Sequence, residues 1–143
     1  MLKIKIDFLK FSFLIALTAT LGSLYFGEIL KYPPCTLCWY QRICMYPLVI
    51  ILGTALWTNE HGYLKNFLSL TFLGLIIASY HNLLYYGWIP DSITPCSQGV
   101  SCTSKQVEIL GFLTIPLMSL ISFAALAVLG ILTLRDFKRF KEI

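Results

Sequence analysis

Charged residues are scarce in this sequence: Asp, Glu, Lys and Arg together make up 13% of the 143 residues, whereas hydrophobic residues make up 57%. Soluble domains typically carry about 25% charged residues, so this composition excludes an ordinary soluble domain. The apolar runs occupy so much of the chain that no length remains for a separate soluble domain. Positive residues that flank the apolar runs explain the net charge of +4, which gives no indication of nucleic-acid binding.

Four apolar runs are long enough, or nearly long enough, to cross a bilayer core of about 30 Å as helices. No cleavage site of small residues follows the first run, so we expect an uncleaved membrane span and not a signal peptide. The sequence therefore predicts an all-α integral membrane protein, a four-transmembrane-helix bundle forming one membrane domain over residues 1–143. The predicted spans cover residues 8–30, 39–57, 67–89 and 107–134, with loops at 31–38 and 90–106 on one side of the membrane.

Lysine and arginine are distributed unequally between the two sides of these spans. Eight of them lie in the N-terminal segment, the 58–66 turn and the C-terminal segment, whereas three lie in the 31–42 stretch and the 90–106 loop. The positive-inside rule then places both termini in the cytoplasm. The two loops that follow the first and third spans are accordingly predicted to be extracytoplasmic.

Cysteine is absent from the predicted cytoplasmic segments, although the chain contains five cysteines. Cys35 and Cys38 form a C-x-x-C motif in the first outer loop, and Cys96 and Cys102 enclose five residues in the second. Because disulfides persist outside the cytosol, this placement favours thiol–disulfide chemistry. Two alternatives stay open, namely inert structural disulfides and a four-cysteine zinc site. Cys44 lies within the second span and is predicted to be a small buried apolar residue.

The residues around the C-x-x-C motif predict an activated thiolate at Cys38. Pro33 and Pro34 keep the chain out of the helical conformation, so a helix can begin around Cys35. Cys38 would then lie in the first turn, where free N–H groups and the helix dipole stabilise a thiolate. Arg42 follows four residues later on the same helical face and adds a positive charge.

His81 lies inside the third predicted span, which contains no formally charged residue. An ionisable side chain within a membrane span is a candidate for a functional role. The alternative is a neutral histidine that is hydrogen-bonded to a neighbouring helix, and the sequence leaves both open.

Several motifs of the chain are similar to those of a known family. The C-x-x-C at the outer end of the first span is followed by Trp39-Tyr40-Gln41-Arg42, and Cys96 and Cys102 form a second pair. Together with the four spans, these motifs resemble the disulfide bond formation protein B (DsbB) family, and the short loops resemble its BdbC-type members. Two further matching features are Tyr80-His81-Asn82 and the pattern from Leu110-Gly111 to Pro116. In the rival vitamin K epoxide reductase type the C-x-x-C lies in a late span, so the early motif argues against it.

The resemblance implies a thiol–disulfide oxidoreductase of the cell (cytoplasmic or inner) membrane that supports disulfide formation in exported proteins. A reduced extracytoplasmic thioredoxin-fold thiol oxidase, DsbA- or BdbD-like, would attack a Cys96–Cys102 disulfide at Cys96. Cys102 would then attack Cys35, and Cys38 would be the thiolate that meets a membrane quinone.

The same resemblance implies a quinone cofactor, either menaquinone or ubiquinone. Arg42 would help to hold the quinone and to stabilise the anion, and His81 is a second candidate for the quinone site by its position in the third span. No nucleic-acid partner and no metal ligand are implied.

The charge distribution generates a prediction on topology. After reduction, Cys35 and Cys96 should react with small membrane-impermeant thiol reagents added to the outer face of intact cells. The measurement is gel-shift labelling of intact cells compared with inside-out vesicles. Labelling confined to the inside-out vesicles would overturn the predicted orientation.

Overall fold

The computed structural model of this protein describes residues 2–58, 62–89, 102, 108–109 and 113–141. Four long helices dominate these residues, and a short π-helical turn continues the first of them. Two short strands pair in an antiparallel register. The elements are α1 (Leu2–Leu24), the π-helical turn (Tyr25–Ile29), α2 (Thr36–Thr58), α3 (Tyr63–Tyr85), β1 (Glu108–Ile109), β2 (Leu113–Thr114) and α4 (Ile115–Lys141).

Four segments of these helices are long and apolar enough to cross a membrane: Ile6–Ile29, Thr36–Thr58, Tyr63–Tyr85 and Ile115–Asp136. Their lengths of 22 to 24 residues correspond to about 33–36 Å at the helical rise, which exceeds the ~30 Å hydrocarbon core. Apart from the two short strands, the prediction of a helical chain with four membrane-crossing helices is therefore confirmed for the described residues. The cytoplasmic position of the termini and the outer position of the cysteine loops stay predictions.

The four helices form a bundle in which α2 packs against α1 and α3, and α4 packs against α3 and α1. Its centre is filled by Leu48, Phe67, Phe123 and Leu126, each at most 1% exposed. The Phe123 ring lies against Gly74, where an added Cβ would collide with it. Small residues let membrane helices approach closely, so Gly74 allows the observed spacing of α3 and α4.

The linker between α1 and α2 turns sharply before the C-x-x-C motif. Lys31 has a φ of 53°, a left-handed conformation that is uncommon outside glycine. Pro33 and Pro34 exclude helix in the linker, and α2 begins one residue after Cys35. The Cys35 carbonyl accepts the Trp39 N–H at 3.1 Å, so Cys35 is the N-cap residue of α2.

α3 ends at Tyr85, four residues before the predicted end of the third span. Gly87 has a φ of 76°, a left-handed conformation that stops the helix. Its N–H donates to the Leu84 carbonyl at 3.0 Å, and the Trp88 N–H donates to the Leu83 carbonyl at 2.9 Å. These two bonds form a Schellman motif, which satisfies the last carbonyls of the helix. The uncharged run continues past this point, so hydropathy alone places the end too late.

α4 begins at Ile115, eight residues after the predicted start of the fourth span, because the short strands β1 and β2 precede it. Thr114 caps the helix, since the Leu117 N–H donates to its Oγ1 at 3.4 Å. Pro116 lies in the first turn, where its missing N–H costs no helical hydrogen bond.

Candidate functional site

The two sulfurs of the C-x-x-C motif lie side by side at the N-terminus of α2. Cys35 Sγ and Cys38 Sγ are 2.7 Å apart, and both cysteines are free. Because Cys35 is the cap residue, its sulfur also accepts the backbone N–H of Cys38 at 3.3 Å. A disulfide bond is about 2.05 Å long, so the pair can close with a small movement of the side chains.

The Cys35 sulfur receives the hydrogen bonds that stabilise a thiolate. The Cys38 thiol contributes most, and His81 and the Cys38 N–H add to it; together they hold the pKa of Cys35 well below its usual value, although burial acts in the opposite direction. The sequence assigned the stabilising position at the helix start to Cys38. In the reduced pair the cap position, and the N–H that accompanies it, belong to Cys35, because α2 begins immediately after it. The thiolate role of Cys38 in the reaction stays a prediction.

His81 lies beside the cysteine pair and is only 2% exposed. Its Nε2 is 3.8 Å from Cys35 Sγ and 3.3 Å from the Cys102 carbonyl oxygen. Its Nδ1 is 3.1 Å from the side-chain nitrogen of Gln41. The histidine therefore bonds to a neighbouring helix and also contacts the Cys35 sulfur, and its functional role stays a prediction. The sequence does not predict this role of Gln41, because its contact with His81 depends on how α2 and α3 face each other.

Cys102, which follows α3 in the chain, lies next to the same residues. It is buried and disulfide-bonded, and it packs in an apolar cluster with Cys35, Leu37 and Leu84. The structure thus brings Cys35, Cys38 and Cys102 together. Cys96 lies outside the described residues.

A cavity with about 170 Å³ of free space lies next to Cys38, between α1, α2, α4 and the linker before α2. Its walls are mainly apolar, and its lining includes the polar residues Cys38, Gln41 and Arg42. Such a lining, apolar with few convergent polar groups, is typical of a small-molecule site. The remaining lining residues are Thr18, Ala19, Gly22, Ser23, Phe26, Tyr32, Pro34, Met45, Tyr46, Ile115, Met118, Ser119, Ser122 and Phe123.

Arg42 is half-buried and contacts both α1 and the Trp39 ring of its own helix. Its Nη2 donates to the Ser23 carbonyl of α1 at 2.9 Å, and its guanidinium carbon lies 5.4 Å from the centre of the Trp39 ring. Gly27, in the π-helical turn, leaves the space for the guanidinium: an added Cβ would lie 2.7 Å from Arg42 Nη2. Neither Ser23 nor Gly27 carries a sequence signal for this role, since the contact joins residues of different helices.

Cys44 is separated from the Cys35–Cys38 pair. It is 2% exposed and belongs to the apolar core of the bundle together with Met45, Leu48 and Leu52. This is the buried position that the sequence predicts for it.

The cysteine pair and His81 also form a set of soft ligand atoms, which all lie within 4.8 Å of one another. Thiolate and imidazole are the ligands that zinc prefers. The four-cysteine zinc site considered from the sequence is not formed, however, because Cys102 is disulfide-bonded and offers no thiolate.

The fold and the site define a small four-helix membrane protein whose free thiol pair lies between a buried histidine and an apolar cavity. The family model of the disulfide bond formation protein DsbB matches residues 7–133. The chain therefore belongs to the DsbB family and is a multi-pass membrane protein, and the resemblance seen in the sequence is confirmed.

Curated relatives match nearly the whole chain. Disulfide bond formation protein C of Bacillus subtilis (strain 168) is 45% identical over 122 residues, which cover 85% of this chain and 88% of that protein. A probable disulfide formation protein of Deinococcus radiodurans is 42% identical over 130 residues, covering 85% and 84%. A probable disulfide formation protein of Metapseudomonas resinovorans is 37% identical over 130 residues, covering 90% of each. No solved structure matches the chain significantly.

The burial of Cys44 generates a prediction. Cys44→Ala should leave thiol-oxidation turnover nearly unchanged, because the side chain is in the bundle core and is no part of the site. The measurement is steady-state turnover of the purified variant beside the unmodified protein. A loss of an order of magnitude would instead place Cys44 in the reaction.

Proposed function

We propose that this protein is a membrane thiol–disulfide oxidoreductase that reoxidises an extracytoplasmic thioredoxin-fold thiol oxidase and passes the electrons to a membrane quinone. The reaction supports disulfide bond formation in exported proteins. The observation that carries this proposal is the position of Cys38, which contacts Cys35 through its sulfur and also lines the apolar cavity.

The exchange between the cysteine pairs follows from the burial of Cys35. Cys35 is only 7% exposed, so a soluble protein has little access to its sulfur. Cys102 packs in the same cluster and can therefore reach Cys35 from within the chain. We therefore assign the first contact with the oxidase to Cys96, the one remaining cysteine that can pair with Cys102 within the chain. Once the oxidase has opened that disulfide, the Cys102 thiolate attacks Cys35 Sγ of the oxidised C-x-x-C pair. The bond between Cys35 and Cys38 breaks, and its electron pair stays on Cys38 Sγ, at the wall of the cavity.

The residues of the cavity fit a quinone. Apolar walls suit a hydrophobic ring and its chain, and the Arg42 and Gln41 side chains offer hydrogen-bond donors for a ring oxygen. When bound, a quinone supplies the electron acceptor: it takes up an electron pair and protons and becomes a quinol. Arg42 would also place a positive charge near the Cys38 sulfur, where negative charge arises in the exchange. Either menaquinone or ubiquinone satisfies this chemistry.

The relatives support the same assignment, since they are named for disulfide formation. Membership of the DsbB family supports placement in the cell membrane with the cysteine loops on the extracytoplasmic face. The deciding experiment is anaerobic mixing of the oxidised protein, a quinone analogue and a reduced thioredoxin-fold oxidase, with quinol formation followed by absorbance. Oxidation of the partner without stoichiometric quinol would refute the quinone as acceptor.

Arg42 and Gly27 give a matched pair of variants for the cavity. Arg42→Met should raise the Michaelis constant for quinone roughly tenfold to a hundredfold, the effect of one hydrogen bond to a charged group. Gly27→Ala should change it in the same direction but less, because the added methyl displaces the guanidinium without removing it. Thiol exchange with the partner oxidase should stay intact in both variants. Gly62→Ala is the control, since an added Cβ there meets no atom within 4 Å; equal Michaelis constants in all four proteins would show that Arg42 only anchors the helix.

Cys102→Ala tests the order of the exchange. The Cys96 thiolate of this variant should attack the disulfide of an oxidised partner, and the partner's second cysteine takes up the electron pair as a thiolate. In acid-quenched samples the mixed disulfide through Cys96 should persist, because Cys102 is missing and the freed partner thiol is protonated. Non-reducing electrophoresis measures the trapped complex, and the double variant with Cys96→Ala should lose it. Attachment of the partner through Cys35 would reverse the proposed order.

A further inference from the structure

His81 touches both cysteine pairs at once. Its Nε2 faces Cys35 Sγ of the C-x-x-C pair at 3.8 Å and the backbone carbonyl of Cys102 at 3.3 Å. These are the two cysteines whose sulfurs must bond to each other in the exchange described above.

Gln41 determines how the histidine is used. Its side-chain nitrogen donates to His81 Nδ1 at 3.1 Å, so Nδ1 accepts and the ring proton of the neutral histidine lies on Nε2. The Nε2–H group then points at the Cys102 carbonyl and the Cys35 sulfur, both of which are acceptors. All three partners are buried with the ring, so water does not compete for these bonds.

We propose that His81 serves the disulfide exchange between the two cysteine pairs: its Nε2–H holds the Cys102 backbone beside Cys35 and hydrogen-bonds the Cys35 sulfur when that sulfur becomes negatively charged. This inference rests on the proposed function and assigns His81 to thiol exchange, in place of the quinone role expected from its position in the third span.

The role of the His81 hydrogen bond differs between the two successive steps of the exchange. In the forward step the Cys102 thiolate attacks Cys35, the bond between Cys35 and Cys38 breaks, and Cys38 keeps the electron pair; His81 contributes by holding Cys102 in place. In the return step the Cys96 thiolate attacks Cys102 Sγ, and the bond between Cys102 and Cys35 breaks. Cys35 is then the leaving thiolate, and a hydrogen bond from His81 Nε2 stabilises it directly.

The position of His81 argues against contact with a ligand in the cavity. The histidine is not among the residues that line the cavity, whereas its partner Gln41 is. Both ring nitrogens are already engaged, Nδ1 by Gln41 and Nε2 by Cys102 and Cys35. A ligand in the cavity would find no free ring nitrogen.

The test measures the two half-reactions separately, in protein that carries Cys44→Ala to simplify thiol counting. For exchange, the oxidised protein is mixed anaerobically with reduced thioredoxin-fold oxidase in the absence of quinone. Samples are quenched in acid, and free Cys38 is counted by a gel-shift maleimide. For the quinone step, fully reduced protein is mixed with a short-chain quinone analogue, and quinol formation is followed in a single turnover.

Three variants are compared with the unmodified protein. His81→Leu removes both ring nitrogens, and His81→Gln keeps an N–H donor of similar reach. Ser79→Ala is the control on the same helix, because its hydroxyl bonds only the Leu75 carbonyl of α3 at 2.8 Å. His81→Leu should slow the appearance of free Cys38 roughly twofold to tenfold, the effect of one hydrogen bond to the neutral Cys102 carbonyl. His81→Gln should restore most of this rate, and all variants should form quinol as fast as the unmodified protein.

Slower quinol formation in His81→Leu with unchanged exchange would make His81 a quinone ligand and overturn the inference. Equal loss of exchange in His81→Leu and His81→Gln would reduce its role to packing, and no loss in either would remove it. Failure of the proposed function would give results that differ from failure of the His81 inference. If the unmodified protein exchanges thiols but forms no quinol, the quinone assignment fails while the His81 effect on exchange is still measured. If the unmodified protein shows no exchange, both are overturned.

Discussion

The residue at which α2 begins determines the geometry of the whole site. Pro33 and Pro34 exclude helix, so Cys35 becomes the cap residue and its sulfur accepts the free N–H of Cys38 in the first turn of α2. Helical spacing then places Cys38 next to it and Arg42 one turn further along the cavity. A helix start shifted by one residue would rotate these side chains by about 100° and separate the sulfur pair from both the cavity and the histidine.

Polar groups buried in an apolar bundle hold this end of the molecule together. An unpaired polar group in such surroundings costs several kcal/mol, so a hydrogen bond between helices favours the packing that makes it. The Asn82 side-chain nitrogen donates to the Ala78 and Pro116 carbonyls, both at 2.8 Å, and ties α3 to the first turn of α4. His81 with Gln41 ties α3 to α2 in the same way. The hydrogen bonds that orient the reactive groups therefore also align the helices that carry them.

Hydropathy predicts the number and kind of the long elements, because a run of about 20 apolar residues has few other ways to satisfy its backbone in a membrane. It predicts their ends less well. Gly87 stops α3 and Thr114 starts α4 within stretches that are still apolar or weakly polar. These ends depend on individual caps, which a window of average hydropathy does not resolve.

The sequence by itself determined the local part of the site: the C-x-x-C pair, its position at a helix start, and Arg42 on the face of Cys38. All of these follow from proline geometry and the 3.6-residue period, which act between residues close in the chain. Only the tertiary structure decided that His81 faces Cys35 and Cys102, and that Arg42 bonds Ser23. Those pairs lie about 20 to 45 residues apart and meet through the rotation and depth of whole helices. That packing depends on the fit of side chains such as Phe123 against Gly74, which no local pattern encodes.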